Sequence, residues 1–258
     1  IYDISGIESF IALDTLKCTN NHLTNLELYA NTALTFLECQ YNHLTSLDLS
    51  TNIGLTTLDC SYNQLTSLDL NLNTLLNSLD CHKNQLSSLD LTNNTALVLL
   101  DCSINQITNL DISTNIILTS LNCAENELTN LNVSINVMLT NLECSDNQLT
   151  FLDVSSNVLL YGLSCRSNQL STLDASGKPS LISLDCRSNY LTSLNVSGAT
   201  SLLYLFCLYN QLVNLDVSSS PSLAYLWCEY NQLASLNVNG AVSLDDLTCS
   251  NNQLTSLD

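Results

Sequence analysis

Residues 55–75 read LTTLDCSYNQLTSLDLNLNTL, and this unit recurs through the whole chain. Its cysteine returns every 21 residues, and Asn always follows that cysteine three positions later, while Leu always precedes it by five and by two positions. Repeats of fixed length without an insertion predict a solenoid in which each repeat forms one turn. The cysteines that set this period are Cys18, Cys39, Cys60, Cys81, Cys102, Cys123, Cys144, Cys165, Cys186, Cys207, Cys228 and Cys249.

A shorter period lies inside the repeat, because LxxLxCxxNx over residues 55–64 is followed by LxxLDLxxNxx over the next eleven residues. Each half alternates inward apolar residues with outward polar ones, as strands do. The halves are short and rich in Asn, Ser and Thr, which disfavours helices. We therefore expect one strand beside each Cys, in a parallel sheet, and a second extended or strand-like segment at each LDL or LDV.

The composition excludes several classes of partner. The chain has 258 residues and a net charge of −19, with 45% apolar residues and only 11% charged ones. Because the few basic residues cannot neutralise many phosphates, nucleic acid is not expected as a partner. No apolar run approaches the roughly 18 residues of a transmembrane helix, so we expect no membrane insertion. The sequence gives no indication of the oligomeric state.

The motif LxxLxCxxNxL resembles the leucine-rich-repeat signature with Cys at one core position, and the LxxLDLSxN that follows is similar to the nested bacterial class called IRREKO. The resemblance covers nearly the whole chain and implies a right-handed β-rich superhelix of about 12 turns. It also implies a secreted or surface-displayed bacterial recognition scaffold, and it names no ligand.

The N-terminal end of the chain departs from the repeat, whereas the C-terminal end keeps the pattern up to Asp258. Residues 1–17 look like an ordinary leucine-rich-repeat turn with a short helical piece, and we interpret them as an N-terminal cap on a solenoid over residues 18–258. No matching C-terminal cap follows. Because an open last turn would expose core and strand edge, we expect the chain to be a piece of a longer protein.

Stacked turns place the cysteines in one column and the following asparagines in another. Parallel thiols one turn apart lack the crossed dihedral of a disulfide, so we expect buried, unpaired thiols that pack as small hydrophobes. Single cysteines 21 residues apart do not form a zinc site. Each buried Asn amide should bridge the backbones of adjacent turns. A second Asn column, from Asn31 to Asn157, ends at Lys178, after which glycines and prolines at the bend predict a different local shape.

Acidic residues fall into two further columns. Like charges about 4.8 Å apart repel by roughly 1 kcal/mol per pair in water, and we expect hydrogen bonds from flanking Ser and Thr, counterions and some raised pKa values to relieve this. Solubility is the expected use of the columns, and weak binding of Ca²⁺ is the alternative. One column contains Glu27, Asp48, Asp69, Asp90, Asp111, Asp153, Asp174, Asp216 and Asp258, and the other contains Glu38, Asp59, Asp80, Asp101, Glu143 and Asp185.

Aromatic residues concentrate near the C-terminus, where seven of the 15 lie between residues 190 and 230. Alternation directs the side chains around Cys207 and Cys228 outward, which predicts an exposed aromatic surface of the kind that binds partners. Two arginines lie on the same face one and two turns earlier. Cross-strand stabilisation of the sheet and coverage by an absent domain are the alternatives. The candidate ligand-binding residues are Tyr204, Phe206, Tyr209, Tyr225, Trp227, Tyr230, Arg166 and Arg187.

No catalytic residues are predicted. His22, His43 and His82 have no nucleophile converging on them, and the chain contains no phosphate-binding loop and no HExxH motif. The sequence therefore favours a non-catalytic scaffold, without a cofactor, that recognises a protein or a glycan. A structural spacer or adhesin stalk is the alternative, and a cation-binding surface module is a third. Neither the ligand nor the remaining domains follow from the sequence.

Overall fold

The computed structural model describes residues 1–256, and it divides into two units, Ile1–Leu128 and Thr129–Asp258. Each unit is a parallel β-solenoid with one turn per 21-residue repeat, as the period predicts. A single-turn 3₁₀ helix, Ile7–Ser9, precedes the first strand. None of the helices in the described residues is long and apolar enough to cross a bilayer. The strands of the first unit are β1 (Thr15–Lys17), β2 (Phe36–Glu38), β3 (Thr57–Asp59), β4 (Ser78–Asp80), β5 (Leu99–Asp101) and β6 (Ser120–Asn122).

Ten strands belong to the second unit. The main sheet pairs β7, β8, β10, β12, β14 and β16 in parallel, and two small sheets pair β9 with β11 and β13 with β15. In chain order the strands are β7 (Asn141–Glu143), β8 (Gly162–Ser164), β9 (Thr172–Asp174), β10 (Ser183–Asp185), β11 (Ser193–Asn195), β12 (Tyr204–Phe206), β13 (Asn214–Asp216), β14 (Tyr225–Trp227), β15 (Ser235–Asn237) and β16 (Asp246–Thr248).

The main-sheet strands end one residue before each cysteine. Their register pairs residues 21 apart, as between Leu37 and Leu58. The N–H of Cys39 extends the ladder by donating to the Asp59 carbonyl at 2.8 Å. The residue at the centre of each strand, a Leu, points into the core. Residues 15–17, which the sequence placed in the N-terminal cap, form β1 and pair with β2.

The cysteine column fills the core, as predicted. Eleven of the twelve thiols are buried and Cys249 is half-buried, and no described cysteine forms a disulfide. Burial raises the pKa of the Cys18 thiol to about 11 and that of Cys228 to about 12. The thiols therefore stay protonated at neutral pH and act as packing groups.

The first asparagine column bridges adjacent turns, as expected. The Asn42 amide donates to the Cys39 carbonyl of its own turn at 3.0 Å and to the Cys18 carbonyl of the preceding turn at 2.9 Å. Its Oδ1 accepts from the Leu23 N–H at 3.0 Å. One buried side chain thus satisfies three backbone groups at the bend, which explains why no other residue type occupies this position.

The second column changes character at Lys178. Asn157 donates to the Val133 carbonyl at 3.0 Å, and the Nζ of Lys178 donates to the corresponding Val154 carbonyl at 2.7 Å although its side chain is fully buried. Burial lowers the pKa of this amine, and Asp174 opposes the change.

The second face of the solenoid, formed by the LDL and LDV segments, contains paired strands only in the four described turns that lack the Asn of the second column. These turns contain β9, β11, β13 and β15, and three of their bends place a glycine at positive φ, namely Gly177, Gly198 and Gly240. In the described turns that keep the Asn, the LDL or LDV segment has no strand ladder. The predicted change in local shape is therefore confirmed.

Candidate ligand-binding surface

The aromatic residues of β12 and β14 lie on the outward side of the main sheet of the second unit. The register pairs Tyr204 with Tyr225 and Phe206 with Trp227. Leu205, which lies between Tyr204 and Phe206 on β12, is fully buried, whereas all four aromatic residues are partly exposed. The outward orientation follows from strand alternation.

These four rings, which we call the aromatic patch, pack against one another. Tyr204 stacks on Tyr225 with centroids 5.0 Å apart, and Phe206 meets Trp227 at 4.8 Å in a tilted arrangement. Tyr204 also lies 6.3 Å from Phe206 on the same strand. The rings thus form one layer over the sheet, and part of their surface is covered by each other.

A second ring pair borders the patch. Tyr209 and Tyr230 stack with centroids 4.5 Å apart, and both are about half exposed, at 51% and 49%. Both have φ near +54°, since they occupy the position two residues after the cysteine, which is left-handed in every turn. That backbone conformation turns the side chains away from the strand end.

Both arginines are ion-paired. The Nη2 of Arg166 lies 3.0 Å from Oδ2 of Asp146, and the Nη2 of Arg187 lies 3.1 Å from Oδ2 of Asp185. Burial raises the pKa of the Asp185 carboxyl, and Arg187 opposes that rise. Arg187 lies one turn from the patch and Arg166 two turns from it, and the charge of both is already compensated. Sequence reasoning missed Asp146 as a partner because it lies outside both acidic columns.

Several buried polar atoms beside the patch have no hydrogen-bond partner. They are Nε1 of Trp227, Oε2 of Glu229 and Oγ1 of Thr248. Thr248 pairs with Trp227 across the strands, and Glu229 follows two residues later on the same chain segment. The edge of the patch thus combines a donor, an acceptor and a hydroxyl whose hydrogen-bonding capacity is not used within the protein.

Sequence reasoning did not single out an aromatic surface in the first unit. Tyr41 stacks on Tyr62 with centroids 4.1 Å apart, and His22 stacks on His43 at 5.5 Å. Lys83 lies over the Tyr62 ring at 4.7 Å. The sequence contained a signal for this surface, because Tyr41 and Tyr62 lie two residues after a cysteine, as Tyr209 and Tyr230 do in the second unit.

The two acidic columns differ in environment. The column that contains Asp48 lies in the LDL and LDV segments, and the other column lies on the Cys side. In the first of these, Oδ1 of an Asp accepts a hydrogen bond from the N–H two residues later, as Asp48 does from Ser50 at 2.9 Å. Such hydrogen bonds lower the carboxyl pKa values of Asp48, Asp90, Asp111, Asp153, Asp174 and Asp216. The expected hydrogen bonds from flanking Ser and Thr are therefore confirmed at these six, and the raised pKa values expected for some of the acids occur in the Cys-side column at Asp80 and Asp185, where burial is the main cause. Asp258 lies outside the described residues.

Comparison with known proteins identifies the class. No family model matches the chain, and none of the curated proteins matches it either. Solved structures do match, and one of them is the functional domain of InlJ from Listeria monocytogenes, which includes a cysteine ladder. It is 35% identical with a TM-score of 0.71, and the match covers 98% of this chain and 66% of that one.

Two further bacterial structures match over most of the chain. A leucine-rich-repeat protein from Leptospira interrogans is 25% identical with a TM-score of 0.85, covering 96% of this chain and 69% of that one. The leucine-rich effector YopM from Yersinia pestis is 25% identical with a TM-score of 0.71, covering 92% and 70%.

The chain therefore forms a leucine-rich-repeat solenoid similar to those of these bacterial proteins, built from a 21-residue repeat with a cysteine ladder. It spans just under two thirds of the InlJ domain that it matches.

Proposed function

We propose that this chain is a non-catalytic recognition scaffold of a secreted or surface-displayed bacterial protein, and that it binds a protein or a glycan through the aromatic patch. Tyr209 and Tyr230 extend the contact surface at the strand ends, and Arg166 and Arg187 border it. The observation that carries the proposal is the placement of four outward rings on two adjacent, registered strands.

The chemistry of the patch supports a contact role. Aromatic side chains bury a large area at low entropic cost and are the residues most enriched in binding hot spots. Repeat solenoids present extended surfaces on which such side chains act together. The unpartnered Nε1 of Trp227 and Oε2 of Glu229 add a donor and an acceptor at the rim. Ring faces with nearby hydrogen-bonding groups suit sugar rings as well as peptide side chains.

The test is a screen of the chain against glycans and surface proteins, followed by measurement of the affinity of each hit. The double variant Tyr225→Ser/Trp227→Ser should lose binding by at least tenfold, which corresponds to about 1.4 kcal/mol. Tyr41→Ser/Tyr62→Ser is the matched control, since it removes a stacked ring pair elsewhere and should leave binding unchanged. Unfolding curves of both variants establish that the fold is intact.

A structural spacer or stalk is the second candidate, and the packing of the rings on one another favours it. Cross-strand aromatic pairs stabilise a sheet by roughly 0.2–1 kcal/mol each even without a ligand. If the Tyr225→Ser/Trp227→Ser variant is less stable but every hit still binds it with parent affinity, the patch is a structural device and recognition through it is refuted.

A further inference from the structure

A cluster of possible metal ligands lies in the first unit, on the outward side of β4 and β5. One ligand atom each from Asp80, His82 and Asp101 lies within 4.8 Å of the other two, and all three residues are half-buried. We propose that these three side chains form a binding site for a first-row divalent cation, with Zn²⁺ as its representative. This site is independent of the aromatic patch.

The repeat explains why the ligands converge. Asp80 and Asp101 occupy the position before the cysteine on adjacent paired strands, so their side chains point the same way. His82 occupies the position after the cysteine, and strand alternation returns it to the same face. Among the twelve turns, only this one has a histidine at that position.

The side chains are already oriented. The Nδ1 of His82 lies 2.7 Å from Oδ1 of Asp80, and the Tyr62 ring holds the imidazole edge-on at a centroid distance of 4.7 Å. Asp101 accepts from the Ser103 hydroxyl at 2.6 Å and from the Asn122 amide at 2.8 Å. Neighbours that fix ligand rotamers in this way are typical of metal sites.

Charge gives an independent argument for a cation. Asp59, Asp80 and Asp101 follow one another on β3, β4 and β5, and adjacent carboxylates about 4.8 Å apart repel. Two other acids of this column have a basic partner, since Lys17 lies 3.1 Å from Glu38 and Arg187 pairs with Asp185. Over residues 1–256 no Lys or Arg forms an ion pair with any of these three aspartates.

The donor set selects the class of ion. One imidazole nitrogen and two carboxylate oxygens suit Zn²⁺ and related first-row ions, which bind with few protein ligands. Ca²⁺ takes six to eight oxygen ligands and does not favour nitrogen, so it fits this cluster poorly. Because the three residues are only half-buried, water would complete the coordination.

The experiment is a calorimetric titration of the reduced protein with Zn²⁺ alone. It uses a Cys249→Ser background, because Cys249 is the one half-buried thiol. We expect one site, and we expect Asp101→Asn and His82→Gln each to weaken binding by about tenfold or more. His43→Gln is the matched control, since His43 lies with its Nε2 3.3 Å from Nδ1 of His22 on the same unit, and it should leave the affinity unchanged.

Three outcomes would overturn the site. They are an absence of Zn²⁺ binding by the parent, parent affinity in both His82→Gln and Asp101→Asn, and loss of binding in His43→Gln alone. A rise in melting temperature with Zn²⁺ that the parent shows and His82→Gln lacks supports the site through an independent measurement. Melting curves without metal confirm that each variant folds. Equal binding of Ca²⁺ at the same residues would contradict the class of ion.

Discussion

Alkaline pH should unfold this protein through its cysteine column. Burial raises the thiol pKa from a reference value of 9.0 at nine cysteines, which are Cys18, Cys39, Cys60, Cys81, Cys102, Cys165, Cys186, Cys207 and Cys228. The sign follows from linkage, because above pH 9 the unfolded chain releases these protons while the folded chain retains them. The stability that the thiols contribute is therefore complete below pH 9 and is lost as the pH rises toward the folded-state values.

The loss can be calculated at pH 9.5, below the ordinary tyrosine pKa of roughly 10. An unfolded thiol of pKa 9.0 is then about three-quarters ionised, and each thiol that stays protonated in the folded state costs about 0.8 kcal/mol of stability. Nine such thiols lower the free energy of unfolding by about 7 kcal/mol, which is comparable with the whole stability of many domains.

Urea unfolding followed by far-UV circular dichroism, in a reducing agent, at pH 7.5 and at pH 9.5 measures this loss. The midpoint should fall steeply, and iodoacetamide should label these nine buried thiols only as the protein unfolds. Cys102→Ala removes one titrating group, so its free energy of unfolding should fall by about 0.8 kcal/mol less than the parent's over the same interval. Equal urea midpoints at the two pH values, with no protection from iodoacetamide, would refute the assignment of these thiols to a dry core.

Three other substitutions test single positions. Asn105→Leu should cost about 3 kcal/mol or more, because it leaves three carbonyls and one N–H without their side-chain partner, whereas Gln106→Leu on the exposed surface should cost little; equal urea midpoints would contradict the bridging role. Ile104→Asn should stabilise by about 1 kcal/mol, since Ile104 has φ of +53° and Asn tolerates this conformation better, and a lower melting temperature would argue against strain there. Lys178→Asn keeps a donor for the Val154 carbonyl and removes a buried amine with a lowered pKa. The charge is costly below that pKa, so the variant should be more stable than the parent at pH 7, and an equal or lower urea midpoint there would show that the buried charge is not a cost.

The repeat made the fold predictable because every structural position appears twelve times. A residue type that returns at one position, such as the Asn after each cysteine, reports the environment there more surely than a single occurrence could. The inward cysteines, the bridging amides and the parallel strands all followed from this redundancy. The second face was less predictable. Its strands depend on whether an Asn side chain or the backbone of the next turn forms the hydrogen bonds with the backbone groups at the bend.

The candidate surface was predictable only in its orientation. Alternation directed Tyr204 and Trp227 outward, but the ring packing and the ion pair of Arg166 with Asp146 depend on side-chain reach across turns. The Asp80, His82 and Asp101 cluster joins two adjacent turns, and a search for metal ligands within one short motif does not find it. Contacts between turns follow from the register, which the period gives, and from rotamers, which it does not.

Column stacking also indicates where function can reside. Residues of one type stacked 4.8 Å apart gain energy when they are apolar, aromatic or amide side chains and lose it when they are carboxylates. The position before each cysteine is acidic on β3, β4 and β5 and aromatic on β12 and β14. The aromatic turns stabilise themselves by ring packing, whereas the acidic turns that lack a Lys or Arg partner are those at which we propose that a cation binds. The same position of one repeat thus supports two different surfaces, and the metal titration and the double aromatic variant test them separately.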